Sequence, residues 1–214
     1  MERVSITEAD SSPAVLARAL ALAVGALRAG GLVAFPTETF YGIAVDPRNE
    51  AAVRGVFLAK IRPPATALPL IAASVDQLAT VAGCLSDPIR RLAATFWPGP
   101  LTLVIPAWDG LAASVHAGKT TVAVRVPGHR VARGLCEAFG YPLTSTSANL
   151  SGSPAPVHPE AVAAALSPWL AVLLDGGSTP GGLPSTIVDM TQQGGRRLVR
   201  AGATPWEQVL RCVE

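Results

Sequence analysis

The stretch Leu32-Val33-Ala34-Phe35-Pro36-Thr37-Glu38-Thr39-Phe40-Tyr41-Gly42 decides how the fold is read. Its first four residues are apolar and β-compatible, so they predict a short buried strand that Pro36 ends. A polar run follows at once. Loops beyond strand ends are where open α/β sheets hold ligands. An ordinary strand-to-helix turn would read similarly, but two threonines, a glutamate and a tyrosine packed so closely favour a site.

Working outward, Ser11-Ser12-Pro13 offers an N-cap and a proline start for a helix carrying Leu16, Leu20, Val24 and Leu27, which Gly30-Gly31 stops. On the other side, Asn49 caps a helix with apolar positions Val53, Val56 and Phe57, reaching Lys60. Leu68 to Ala72 reads as a strand, and Ser74 caps a short helix. Asp87-Pro88 opens a helix that ends near Trp97-Pro98-Gly99-Pro100. Strands are predicted at Leu101 to Ile105 and Thr121 to Val126, then a helix from Arg130 to Phe139 and a strand at Pro142 to Thr146. Pro159 begins a helix over Glu160 to Leu166. Ala171 to Leu174, Ser185 to Val188 and Leu198 to Arg200 are predicted as late strands, and Thr204-Pro205 opens the last helix. This irregular alternation predicts α/β layers around one mixed sheet. Ser151 to Pro159 is the best candidate boundary, yet the roughly 55 residues after it are marginal for an independent domain. A single domain over 1–214 is expected.

Half of the 214 residues are hydrophobic, 15% are charged and mean hydropathy is +0.39, which excludes a disordered chain. The 20 glycines and 19 prolines show neither collagen period nor low complexity, so a loop-rich domain is expected. A net charge of +2 rules out a global polycation, so any phosphate-bearing partner must be held by a local cluster. Only Lys60 and Lys119 are lysines among 17 basic residues. Cys84, Cys136 and Cys212 form no CxxC pair, so neither a disulfide framework nor a cysteine zinc site is indicated. The apolar run Ala19 to Leu27 is far short of the ~20 residues that span a bilayer, and no signal pattern opens the chain. A cytoplasmic protein without membrane contact is expected.

Familiar motifs fail. Gly118-Lys119-Thr120 imitates the end of a phosphate-binding loop, but Ala113 stands where the pattern needs glycine. His116, His129 and His158 are scattered, and no metal-ligand cluster or nucleophile–base pair is evident.

Three further polar segments sit near strand or helix ends. Lys60-Ile61-Arg62-Pro63-Pro64 pairs a point-charge ammonium with a forked guanidinium, a natural oxyanion clamp. A helix C-terminus alone would account for Lys60 but not for Arg62. Thr144-Ser145-Thr146-Ser147-Ala148-Asn149-Leu150-Ser151-Gly152 concentrates hydroxyls and an amide that suit phosphate oxygens, or a turn satisfying its own backbone. Ser185-Thr186-Ile187-Val188-Asp189, with Leu198-Val199-Arg200-Ala201-Gly202, places a serine and an arginine at strand ends. Cations and hydroxyls without a nucleophile suit positioning and charge stabilisation in phosphoryl or nucleotidyl transfer.

In this order the segments resemble the YrdC-type threonylcarbamoyl-AMP synthases. The resemblance is carried by GGLVAFPTETFYGIAVDP, LAKIRP, WPGPLTLVI, TVAVRVPGH, PLTSTSANLSG, STIVD and LVRAG, from Gly30 to Gly202. It implies a twisted mixed sheet with flanking helices around an open basic cavity, in the short, single-domain form of the family. It implies that L-threonine, bicarbonate or CO2, and ATP give threonylcarbamoyl-AMP and pyrophosphate. Mg2+ would ride on the phosphates without dedicated protein ligands. A downstream transferase complex would pass the carbamoyl group to tRNA.

Position by position, the resemblance places Lys60, Arg62, Ser147 and Asn149 around the ATP phosphates as the catalytic tetrad. Thr66, Thr121, Ala155 and Arg200 fall on the nucleotide side. Thr37, Thr39, Tyr41, Ala123, Ser145 and Ser185 fall on the threonine side, with Arg62 meeting the carboxylate. Many members carry histidine in the strand after K-x-RP. Ile71 takes that place by spacing, so a polar contact to threonine is missing. Two other readings compete: a tRNA or double-stranded RNA-binding module using the same cavity, and the carbamoyltransferase domains of hydrogenase maturation. Low aromatic content speaks against stacked single strands, and no acylphosphatase or zinc-finger-like region accompanies the second.

Overall fold

The computed structural model describes residues 1–6, 12–63, 66–191 and 196–212. Ser11 of the first cap and Pro64 of the cationic segment lie outside them. The element order is β1 (Glu2–Ser5), α1 (Pro13–Arg28), β2 (Leu32–Phe35), β3 (Gly42–Ala44), α2 (Glu50–Lys60), β4 (Leu70–Ile71), α3 (Val75–Ala82) and α4 (Asp87–Phe96). Then come β5 (Leu101–Pro106), α5 (Ala113–His116), β6 (Thr121–Arg125), α6 (Arg130–Phe139), β7 (Leu143–Thr144) and β8 (Thr146–Ser147). The chain continues through α7 (Pro159–Leu166), β9 (Leu170–Asp175), β10 (Thr186–Asp189), β11 (Arg197–Arg200) and α8 (Trp206–Cys212).

The helix starts follow their caps. Ser12 Oγ accepts from Val15 N at 3.3 Å, Asn49 Oδ1 from Ala52 N at 3.1 Å and Ser74 Oγ from Gln77 N at 3.1 Å. Gly140, in the left-handed region at φ 81°, ends α6.

The strands form two mixed sheets where one was expected. The first runs β1-β9-β2-β3-β8 and the second β11-β10-β5-β6-β4-β7. The predicted strand Pro142 to Thr146 is where the chain changes sheet. β7 pairs antiparallel with β4, and β8 pairs antiparallel with β3, with Ser145 at the crossing. The predicted strand Leu68 to Ala72 shrinks to two ladder residues, and β1, β3 and α5 were not foreseen.

Burial explains why β2 reads as an unbroken apolar run. Leu32 and Ala34 pack into a core with α2, β5 and β6, while Val33 and Phe35 face a second core under α1 and α6. A strand buried on both faces has no polar side to show.

Candidate functional site

A cavity of about 580 Å³ is lined from both sheets. The β2–β3 loop contributes Thr37, Thr39 and Tyr41; the sheet crossing contributes Ser145, Thr146 and Ser147. Arg62 enters after α2, Ala123 and Arg125 from β6, Ser185 before β10 and Arg200 at the end of β11. Asn149 and Ala155 also line it, as do Leu68, Leu70 and Ile71. Thus Thr37, Thr39, Tyr41, Arg62, Ala123, Ser145, Ser147, Asn149, Ala155, Ser185 and Arg200 converge. Lys60, Thr66 and Thr121 do not line this cavity. Thr66 is exposed, with its N bonded to Pro63 O at 3.3 Å, and Thr121 opens β6 two residues before Ala123.

Local geometry separates Lys60 from Arg62. Ile61 ends α2 in the left-handed region at φ 51°, which sends its two neighbours to different places. Lys60 is 2% exposed. Its ammonium donates to Ser147 O, to Asn149 O at 2.6 Å and to Asn149 Oδ1 at 3.1 Å. An ammonium has three protons, so all are committed to the hydroxyl-rich loop. Asn149 Oδ1 also accepts from Ser147 Oγ, and its Nδ2 donates to Ser153 O. Lys60 therefore organises this loop from behind. Burial, then the nearby Arg62 charge, pulls its pKa from 10.5 down to about 8.

Among the described residues, three guanidiniums face the cavity and no lining residue is acidic. Arg62 donates to Thr146 Oγ1 at 3.1 Å and to Ala67 O at 3.2 Å. Arg125, 8% exposed, donates to Glu38 Oε1 at 2.8 Å. Arg200 grips Ser185 O through Nε at 3.1 Å and Nη2 at 2.7 Å. Burial lowers the pKa of all three; Glu38 opposes this for Arg125, whereas Arg125 adds to it for Arg200. An anion entering this cavity would relieve all three.

Thr37 and Tyr41 build the loop that carries Thr39. Thr37 Oγ1 donates to Phe40 O at 2.6 Å and accepts from Thr39 N and Phe40 N, each at 3.2 Å. The Tyr41 hydroxyl donates to Gly177 O at 2.6 Å and accepts from Gly176 N at 3.2 Å, and burial pushes its pKa up to about 12.

Arg125, Thr102 and the pairing of Glu38 were not singled out from the sequence. For Arg125 the signal was present: residues 121, 123 and 125 share one face of a strand, so naming Thr121 and Ala123 points to Arg125 next. Thr102 carries no such mark.

Among the described residues, no group of three or more His, Cys, Asp or Glu stands where it could hold a metal ion. Hydroxyls, one amide and guanidiniums fit oxyanions better than a divalent cation. Among the described residues, no helix is long and apolar enough to cross a membrane.

Fold and cavity together define an α/β protein whose two sheets frame a cationic cleft. The Sua5/YciO/YrdC family model, described as Telomere recombination, matches residues 25–202, and the chain belongs to that family. It is 39% identical over 192 residues to the threonylcarbamoyl-AMP synthase of Pyrococcus abyssi, covering 90% of this chain and 56% of that protein. A protein of the same name from Chromohalobacter salexigens is 42% identical over 182 residues, covering 85% of this chain and 96% of that one. The chain thus spans little more than half the length of its P. abyssi relative. The crystal structure of P. abyssi Sua5 complexed with L-threonine superposes with a TM-score of 0.90 at 36% identity, covering 100% of this chain and 61% of that chain.

Proposed function

We propose that this chain is a threonylcarbamoyl-AMP synthase. The observation that carries the reading is convergence: Arg62, Arg125 and Arg200, remote in sequence, meet hydroxyls from several other segments on one cavity with no acidic side chain among the described residues that line it. Relatives near 40% identity bear that name, and one related structure holds L-threonine. In the proposed reaction the threonine nitrogen attacks bicarbonate with loss of water, or CO2 with loss of a proton, and a carbamate forms. A carbamate oxygen attacks the α-phosphorus of ATP, a P–O bond forms, and the bond to pyrophosphate breaks. The substrate supplies its own nucleophile, so the protein need only align two anions and neutralise charge.

Arg62, Ser147 and Asn149 hold phosphate oxygens in this reading, and Ser145, Ser185 and Thr39 face the amino acid. Mg2+ arrives on the phosphates. Product passes to a transferase acting on tRNA, which places the work in the cytoplasm. Pyrophosphate release should require ATP, threonine and bicarbonate together. Release indifferent to threonine refutes the assignment.

A further inference from the structure

We propose that Thr102 is a positioning residue that fixes the direction of the Ser185 hydroxyl proton; the inference rests on the synthase reading above. A serine hydroxyl has one proton to give and two lone pairs with which to accept. At Ser185 Oγ both lone pairs are taken, by Thr102 Oγ1 donating at 2.8 Å and by Arg200 Nη2 donating at 3.0 Å. A guanidinium can only donate, so Arg200 forces its half of the arrangement. The remaining proton points away from both donors, and Ser185 lines the cavity. The atom it meets there must be an acceptor. With three arginines and no acid among the described residues of the same walls, that acceptor is an anionic oxygen, carboxylate or phosphoryl.

The backbone of Ser185 is held independently of Thr102. A Cβ on Gly202 would lie 2.2 Å from Pro184 O, so the two backbones are in direct contact. Ala203 N donates to Pro184 O at 2.9 Å. Thr186 Oγ1 donates to Thr204 O at 2.6 Å and accepts from Thr204 N at 3.0 Å. Thr102 itself is 3% exposed on β5, opposite Ile187 of β10. Its hydroxyl is therefore free to serve orientation rather than folding.

The test titrates wild type, Thr102→Val and Thr102→Ser with L-threonine and, separately, with a non-hydrolysable ATP analogue, by calorimetry. Thr102→Val should weaken one of the two ligands about tenfold, on the order of one hydrogen bond to a charged group. It should leave the other ligand and the unfolding midpoint unchanged, and Thr102→Ser should restore wild-type affinity. Weakening of threonine identifies a carboxylate opposite Ser185; weakening of the analogue identifies a phosphoryl oxygen. Unchanged affinity for both ligands overturns the proposal, as does a joint loss accompanied by a lower unfolding midpoint. A wild type that takes up no threonine refutes the synthase reading, while the ATP arm still decides the role of Thr102.

Discussion

Lys60 should respond to alkaline pH with opposite effects on activity and stability. In the folded protein its pKa lies near 8, below the 10.5 of a free lysine, because burial and Arg62 disfavour the charge. Between those values the unfolded chain binds more protons than the folded one, so stability rises with pH across that window. The rise is about 1.4 kcal/mol per unit, which sums to roughly 3 kcal/mol by pH 10.5. Below pH 8 both states are protonated and the contribution is constant. Activity should move the other way. A neutral amine keeps only two protons, so one of its three acceptors on residues 147 and 149 loses its donor. The assay is urea unfolding of wild type and Lys60→Met at several pH values, with pyrophosphate release from wild type measured alongside. Subtracting the variant removes the titration of tyrosines and cysteines common to both. The wild-type minus variant stability should climb from pH 8 to 10.5 while wild-type turnover falls through an apparent pKa near 8. A flat difference across that range refutes the reasoning.

Arg62→Ala should cut turnover by about 100-fold or more, the scale on which preorganised charge at a transition state acts, measured as kcat for pyrophosphate release. Glu38→Ala leaves the Arg125 guanidinium without its carboxylate partner and should destabilise by about 3 kcal/mol in urea unfolding. Glu38→Gln, which keeps an acceptor, should cost less. Gly202→Ala drives a methyl into the Pro184 carbonyl and should displace Ser185, lowering kcat/KM together with the unfolding midpoint. Normal kinetics in that variant would show that the contact is not needed.

Elements with strong local signals were legible in the sequence. The α1 and α2 helices announce themselves through Ser12 and Asn49, and β2 through an apolar run too short for a helix. The two-residue strands β4 and β7 lie inside the longer strands expected at Leu68 to Ala72 and Pro142 to Thr146, and neither their ends nor the break before β8 was legible, because alternation needs more positions than they have. The division into two sheets depends on which strands pair, a long-range property that spacing does not encode. At the site, hydroxyls and arginines at strand ends were visible as residue types. Their partners were not. Lys60 is read as a phosphate-side residue because a lysine near a helix end and beside an arginine suggests one, and nothing local shows that its ammonium also donates to residues 147 and 149.

That placement of Lys60 bears on how a cationic cavity can stay open, ready for the anions the proposed reaction requires. Three guanidiniums on one surface repel one another, and burial makes each charge costlier still. Each is tied to a different part of the frame: Arg62 to Thr146 at the sheet crossing, Arg125 to Glu38 after β2, and Arg200 to Ser185 before β10. The anchors belong to both sheets, so the charges are held apart by the architecture and cannot relax into solvent together. An incoming oxyanion then finds donors already oriented and does not spend binding energy gathering them. The fourth cation contributes differently: by turning its protons on the loop backbone, Lys60 stiffens the hydroxyl wall that faces those arginines. Neutralising it should therefore loosen the wall while leaving the three guanidiniums where they are.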